Sequence, residues 1–149
     1  MIDIEFIWFR TDDQDLSDYA NALENLSHYC HNVDVPINIV ERRESLSIFD
    51  LPHTYPNVVS ITTVYLYQEN FGVIFPDVTH IDFLALGCSN IDFGKLKDVN
   101  TLYIPGHIKE NYKIQEIKDD IYKIYNVGFD TKDGGRGHKL KINKLIIGN

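Results

Sequence analysis

His28, Cys30 and His31 form the densest group of possible metal ligands in the sequence, and a spacing of three puts both imidazoles on one face of a helix. A structural zinc ion normally takes four such ligands, and no second Cys or His pair follows at a usable interval. A helix end carrying a buried thiol accounts for the same residues, so neither metal nor cofactor is expected. Asp133-Gly134-Gly135-Arg136-Gly137-His138 could offer backbone amides to an anion, but it lacks the Gly-Lys-Ser/Thr ending of a phosphate loop. Glycine clusters mainly mark turns, and this one reads as the connection between Phe129 and a last strand. No Gly-x-Ser-x-Gly elbow and no His-Glu-x-x-His helix is present, and His53, His80 and His107 are scattered.

Asp77 after Pro76, with Glu116 and Lys118 farther on, has the residue types of a metal-dependent nuclease, in which carboxylates hold Mg²⁺ and a lysine polarises the phosphate. Charge argues against that chemistry. The chain carries 14 Lys and Arg against 22 Asp and Glu, a net charge of −8, and phosphate backbones are bound largely by cationic side chains. Residues 1–50 hold 3 basic and 11 acidic side chains, residues 51–106 hold 2 and 5, and residues 107–149 hold 9 and 6. The sequence is thus electrically graded from acidic to mildly basic, which suits a basic protein partner and excludes nucleic acid.

At 149 residues the chain fits one continuous domain, and 44% hydrophobic residues suffice for a core. No run approaches the roughly 18 apolar residues of a membrane span. The two cysteines, Cys30 and Cys88, have no framework spacing, so both are expected reduced in a cytoplasmic protein. Ile2 to Phe9 reads as a strand. Thr11 with Gln14 has the spacing of a capping box, and Leu16, Tyr19, Ala20, Leu23 and Leu26 share a helical face that runs to about His28. Pro36 then opens a second strand, Ile37 to Val40. These elements predict a β-α-β cap over residues 1–50.

Beyond it a spaced pattern recurs. An aliphatic residue, a second one three positions later and usually a third apolar residue two positions after that fit Val58, Ile61 and Thr63, then Val78, Ile81 and Phe83, then Val99, Leu102 and Ile104. Ile121, Ile124 and Asn126, and finally Ile142, Leu145 and Ile147, continue it at intervals of 20, 21, 22 and 21 residues. Tyr55-Pro56-Asn57, Phe75-Pro76-Asp77 and Leu96-Lys97-Asp98 punctuate the first three copies. Ile114, Ile117, Ile121 and Ile124 are spaced for a helical return.

Over about residues 58 to 149 this pattern resembles the leucine-rich-repeat family, most clearly at Phe75-Pro76-Asp77-Val78-Thr79-His80-Ile81-Asp82-Phe83. Val, Ile and Phe replace most of the family's leucines, and Leu66 and Leu86 stand where its Asn would follow the strand. The resemblance implies an α/β fold: a short solenoid over residues 51–149 with a mainly parallel sheet, preceded by the cap. A parallel β-helix is the structural alternative. It further implies that Ser60, Thr62 and Val64, then His80, Asp82 and Leu84, then Thr101, Tyr103 and Pro105, then Lys123 and Tyr125, then Lys144 and Ile146 form a concave binding row. His80, Asp82, Tyr103 and Tyr125 are the expected anchors, with Thr62, Thr101 and Lys123 beside them. Small size, acidity and the lack of a recognisable catalytic motif point to a non-catalytic protein-binding module, an inhibitor such as an immunity protein or a phage or viral antagonist of host defence. A general repeat-type adaptor and a metal-dependent nuclease-like enzyme are the alternatives.

Overall fold

The structure, a computed structural model, describes residues 1–6, 16–41, 53–66, 69–127 and 137–149. Eight strands form one sheet in the order β1-β2-β3-β4-β5-β8-β7-β6. They are β1 (Ile2–Phe6), β2 (Ile37–Glu41), β3 (Val58–Leu66), β4 (His80–Leu86), β5 (Asp98–Ile104), β6 (Tyr112–Lys118), β7 (Ile121–Asn126) and β8 (His138–Ile147). Two helices, α1 (Leu16–Asn32) and the single turn α2 (Phe71–Ile74), and a 3-10 turn at Lys109–Asn111 complete the described elements.

This overturns the expected leucine-rich-repeat-like solenoid, mainly parallel and preceded by a β-α-β cap. Pairing is parallel from β1 through β5 to β8, but β7 runs antiparallel to both β8 and β6, so the sheet is mixed. β1 and β2 are simply the first two strands of that sheet, and β2 pairs directly with β3. The helical return expected over Ile114 to Ile124 is instead the β6–β7 hairpin, turning at Asp119 and Asp120, where Asp120 adopts φ 56°. Tyr112, Lys113, Ile114 and Gln115 alternate as a strand does. A register shift between Glu116 and Lys118 moves Ile117 out of phase, so isoleucines on a bulged hairpin fall at helix-like intervals.

Side-chain rows explain why the strands stack. Ile39, Ile61, Ile81, Val99 and Ile142 lie abreast, as do Val64, Leu84, Leu102 and Leu145, and all but the half-buried Leu145 are buried. A β-branched side chain fits a pleated surface with neighbours on both sides, so such rows suit parallel strands. The repeat copies are therefore out of the expected register: Ile81 meets Val99 and Ile142, whereas Leu102 and Leu145 meet Leu84. Aliphatics recur every three residues at Val78, Ile81 and Leu84 and again at Leu96, Val99 and Leu102, so a slip of three leaves the pattern almost unchanged.

The connections stack too. Tyr55 and Phe75 rings lie 5.1 Å apart, and the backbone N–H of Asn57 donates to Asp77 Oδ2 at 2.9 Å while Lys95 Nζ lies 3.6 Å from Asp77 Oδ1. Position 95, not the expected Asp98, is thus the third member of that turn series. Gly72 and Gly94 touch backbone to backbone: a Cβ on Gly94, which has φ 58°, would sit 2.7 Å from Gly72 Cα.

α1 covers one end of the sheet's inner face with Leu23, Leu26 and Cys30. Ser27, also buried, donates to the Thr54 carbonyl at 2.7 Å. Its C-terminal end is tied by Asn57, whose Nδ2 donates to the carbonyls of Cys30 and Val33 at 3.1 and 2.8 Å from a left-handed backbone of φ 68°. Asn tolerates that conformation better than other side chains do. The capping pair Thr11 and Gln14 and the strand residues 7–9 lie outside the described residues. No helix among the described residues is long and apolar enough to cross a membrane.

Candidate functional site

The outward face of the parallel strands carries a run of polar side chains held by one another. Asp3, Asn38, Ser60, His80, Asp98 and Lys141 lie abreast on successive strands. Asn38 Nδ2 donates to Asp3 Oδ1 at 3.1 Å, and Ser60 Oγ donates to Asn38 Oδ1 at 2.6 Å. At the centre, His80 Nε2 is 2.8 Å from Asp82 Oδ1 and His80 Nδ1 is 3.3 Å from Asp98 Oδ2. Asn100 Nδ2 donates to Asp82 Oδ1 at 2.7 Å, and Asn143 Nδ2 to Asn100 Oδ1 at 2.9 Å. The imidazole thus bonds one carboxylate and only approaches a second, its buried Nδ1 making no hydrogen bond, and two amides carry the chain of bonds from Asp82 across β5 to β8. Asp82 remains exposed, and beside it Phe83 leaves 38% of its surface open.

Ser60, His80 and Asp98 have the residue types of a nucleophilic triad, but their directions are wrong for one. Ser60 donates away from His80 toward Asn38, and the imidazole nitrogen that would activate a hydroxyl faces Asp82 instead. The arrangement fixes side chains on a surface, with the exposed carboxylate of Asp82 partly open to an incoming group, while Asp98 Oδ1 is buried without a hydrogen-bond partner.

The expected anchors divide. His80 and Asp82 are in this cluster, Thr62 is half-buried on the neighbouring strand, and Thr101 pairs in register with Phe83 and Lys144. Tyr103 lies farther along β5, opposite Ala85 and Ile146. Lys123 and Tyr125 are on β7, where Tyr125 packs on Gly137, bonds Gln115 at 3.2 Å and lies under Lys113 Nζ at 6.0 Å. Gly137, just before β8, and Ile146 on it are nine residues apart, about 30 Å of extended chain, so the two tyrosines cannot anchor one patch as expected. Three other members of the expected row, Val64, Leu84 and Pro105, are buried. Asp3, Asn38, Asp98, Asn100 and Asn143 were missed; the alternation Ile-Asp-Ile and Ile-Asn-Ile could have marked the first two as outward.

The other chemical candidates are not assembled. Cys30 points into the core, and burial raises its thiol to about 11, whereas His28 and His31 are exposed and His31 bonds Thr54 Oγ1 at 3.0 Å. No group of three or more His, Cys, Asp or Glu among the described residues could hold a metal ion. Asp77 occupies the turn before β4, while Glu116 and Lys118 sit on β6, four strands away across the sheet or about 19 Å. Residues 133–136 of the glycine-rich stretch lie outside the described residues; His138 bonds the Leu96 carbonyl through Nε2. Cys88, half-buried, has its thiol raised to about 11 by burial and by the nearby Glu69, and Tyr112 donates its hydroxyl to the Cys88 carbonyl.

Charge follows strand order. Strands β1 to β5 carry Asp3, Glu5, Glu41, Asp82 and Asp98 with no Lys or Arg, whereas β6 to β8 carry Lys113, Lys118, Lys123, Lys139, Lys141 and Lys144 against Glu116 alone. No family model, curated protein or solved structure matches the chain.

Proposed function

We propose that the chain is a non-catalytic protein-binding module that inhibits another protein by covering a basic surface, as an immunity protein or a phage or viral antagonist of host defence does. The observation that carries this reading is the outward cluster on β4 and β5, where Asp82 is held by His80 and Asn100, with Asp98 3.3 Å from the same imidazole, beside the exposed Phe83. A carboxylate already fixed in hydrogen bonds, as Asp82 is, loses little freedom when a cation docks on it, and an apolar ring next to it supplies the desolvated centre that an interface needs. The absence of Lys and Arg from five consecutive strands adds a field that steers a basic partner toward this face and repels nucleic acid. No cofactor is required, and a cytoplasmic location belongs to the same proposal.

The test is capture of a stoichiometric partner by the tagged chain, followed by binding kinetics. Asp82→Lys is expected to slow association about ten-fold or more at low salt, with the difference shrinking as salt rises. Phe83→Ala is expected to speed dissociation with little change in association. A partner that binds both variants as it binds the parent would place the interface elsewhere.

A further inference from the structure

The sheet ends in two strands with no described neighbour on their outer side, β1 and β6. Such edges normally carry a proline, a bulge or a cationic side chain that discourages further pairing. β1 has none of these. On β6 the bulge falls between Glu116 and Lys118, which leaves Tyr112–Glu116 regular, five residues against the five of Ile2–Phe6.

The phases of the two edges match. Ile2 N–H donates to the Pro36 carbonyl at 3.0 Å, so the backbone groups of Ile2 and Ile4 face β2 and those of Asp3 and Glu5 face outward. On β6, the Asn111 carbonyl accepts from Val127 at 2.9 Å, so Lys113 and Gln115 turn their backbone groups to β7 while Tyr112, Ile114 and Glu116 turn theirs outward. In a parallel pair, residues that lie abreast share a sheet face, and one of the two aims its backbone groups across the junction while the other aims them away. Setting Ile2 beside Tyr112 satisfies that rule at every position. It brings Asp3 beside Lys113 on the outward face and Ile4 beside Ile114 on the inward one. The direction agrees as well, because β6, antiparallel to β7, runs the same way as β1.

We propose that β1 of one molecule pairs in parallel with β6 of a second copy of this chain, extending the sheet from molecule to molecule. Charge selects this occupant, since Asp3 on one edge meets Lys113 on the other and both lie on the same chain. The side chains are also in place: Asp3 is held on the outward face by Asn38, and Lys113 lies over the Tyr125 ring. Because the contact joins two different surfaces, each added copy presents a fresh edge, and the product is a ring or an open filament, not a closed dimer. This inference does not rest on the inhibitor reading.

Sedimentation velocity of the full chain at low salt, over a wide concentration range, is the experiment, with circular dichroism confirming that each variant is folded. The parent is expected to grow in size with concentration and to dissociate as salt is added. Asp3→Lys and Lys113→Glu are each expected to weaken association about ten-fold, because like charges abreast on a sheet repel. A mixture of the two variants restores it, since each supplies the charge the other lacks, and Lys123→Glu, on β7 away from the edge, leaves it unchanged. A parent that stays monomeric throughout, association indifferent to both swaps, or a mixture that does not recover would overturn the proposal.

Discussion

The five strands β1 to β5 and the three strands β6 to β8 belong to one sheet yet solve different problems. In the first group the inward rows from β2 to β5 are buried aliphatics, and the outward row is a largely bonded set of Asp, Asn, Ser and His. In the second, the hairpin buries little beyond Tyr112 and Ile124, Ile117 stays 46% exposed, and Lys123 sits directly opposite Lys139. The difference teaches that the parallel strands β2 to β5, which lie inside the sheet, are held by what they bury, whereas the hairpin is held mainly by its backbone ladder and can carry unfavourable charge.

The largest test of that contrast is truncation. Ile81→Ala or Leu102→Ala, each removing a buried side chain from the centre of a row, is expected to cost about 2 to 5 kcal/mol in denaturant unfolding, against less than about 0.5 for Ile117→Ala on the hairpin. Equal costs would erase the distinction. Next comes Asn57→Ala, which loses the bonds to the Cys30 and Val33 carbonyls and puts a side chain less tolerant of a left-handed backbone there; about 2 to 3 kcal/mol is expected, with Asn57→Gly recovering roughly 1 of it.

The two thiols test burial by pH. Each has its pKa raised in the fold from 9.0 to about 11, so the folded state keeps protons that the unfolded state releases. Stability from this source is therefore complete below pH 9 and is lost as pH rises toward 11, by at most about 2 to 3 kcal/mol for the fully buried Cys30 and by less for the half-buried, better screened Cys88. A pH series on Cys30→Ala is expected to fall less steeply than the parent over that window. The smallest effect is a gain. Lys139→Glu removes a like-charge pair with Lys123 and is expected to stabilise by about 0.5 kcal/mol, read as a small rise in the denaturation midpoint.

Much of the strand content was legible because β-branched runs such as Val58 to Val64 and Ile142 to Ile147 are hard to place in anything else. α1 was legible from its apolar face, although it continues to Asn32, past the expected end near His28. The mixed sheet was not legible. Nothing local distinguishes the antiparallel β7 from a further parallel strand, since Ile121 and Ile124 keep the aliphatic spacing, and a three-residue slip preserves the pattern from Leu96 onward. Of the candidate site, His80 and Asp82 were found because they flank Ile81 in a clear strand. Asp98, Asn100 and Asn143 were not, because their part depends on which strands are neighbours, and β8 lies next to β5 only after the chain has made the hairpin.

Asn57 gives the fold an order in time. The carbonyls at the end of α1 receive their donors from a residue 24 and 27 positions later, in the turn that leads into β3. Until β3 docks, that helix end has only water and the Asn32 side chain, which bonds the His28 carbonyl at 2.7 Å. A helix takes most of its stability from the packing of its apolar face, and α1 has an unfinished terminus until that docking, so it is expected to consolidate after the transition state that brings β2 and β3 together. Surface Ala-to-Gly comparisons along its exposed side would then change the unfolding rate and leave the folding rate nearly untouched, making the helix a regulator of how long the native state lasts and not of how fast it is reached.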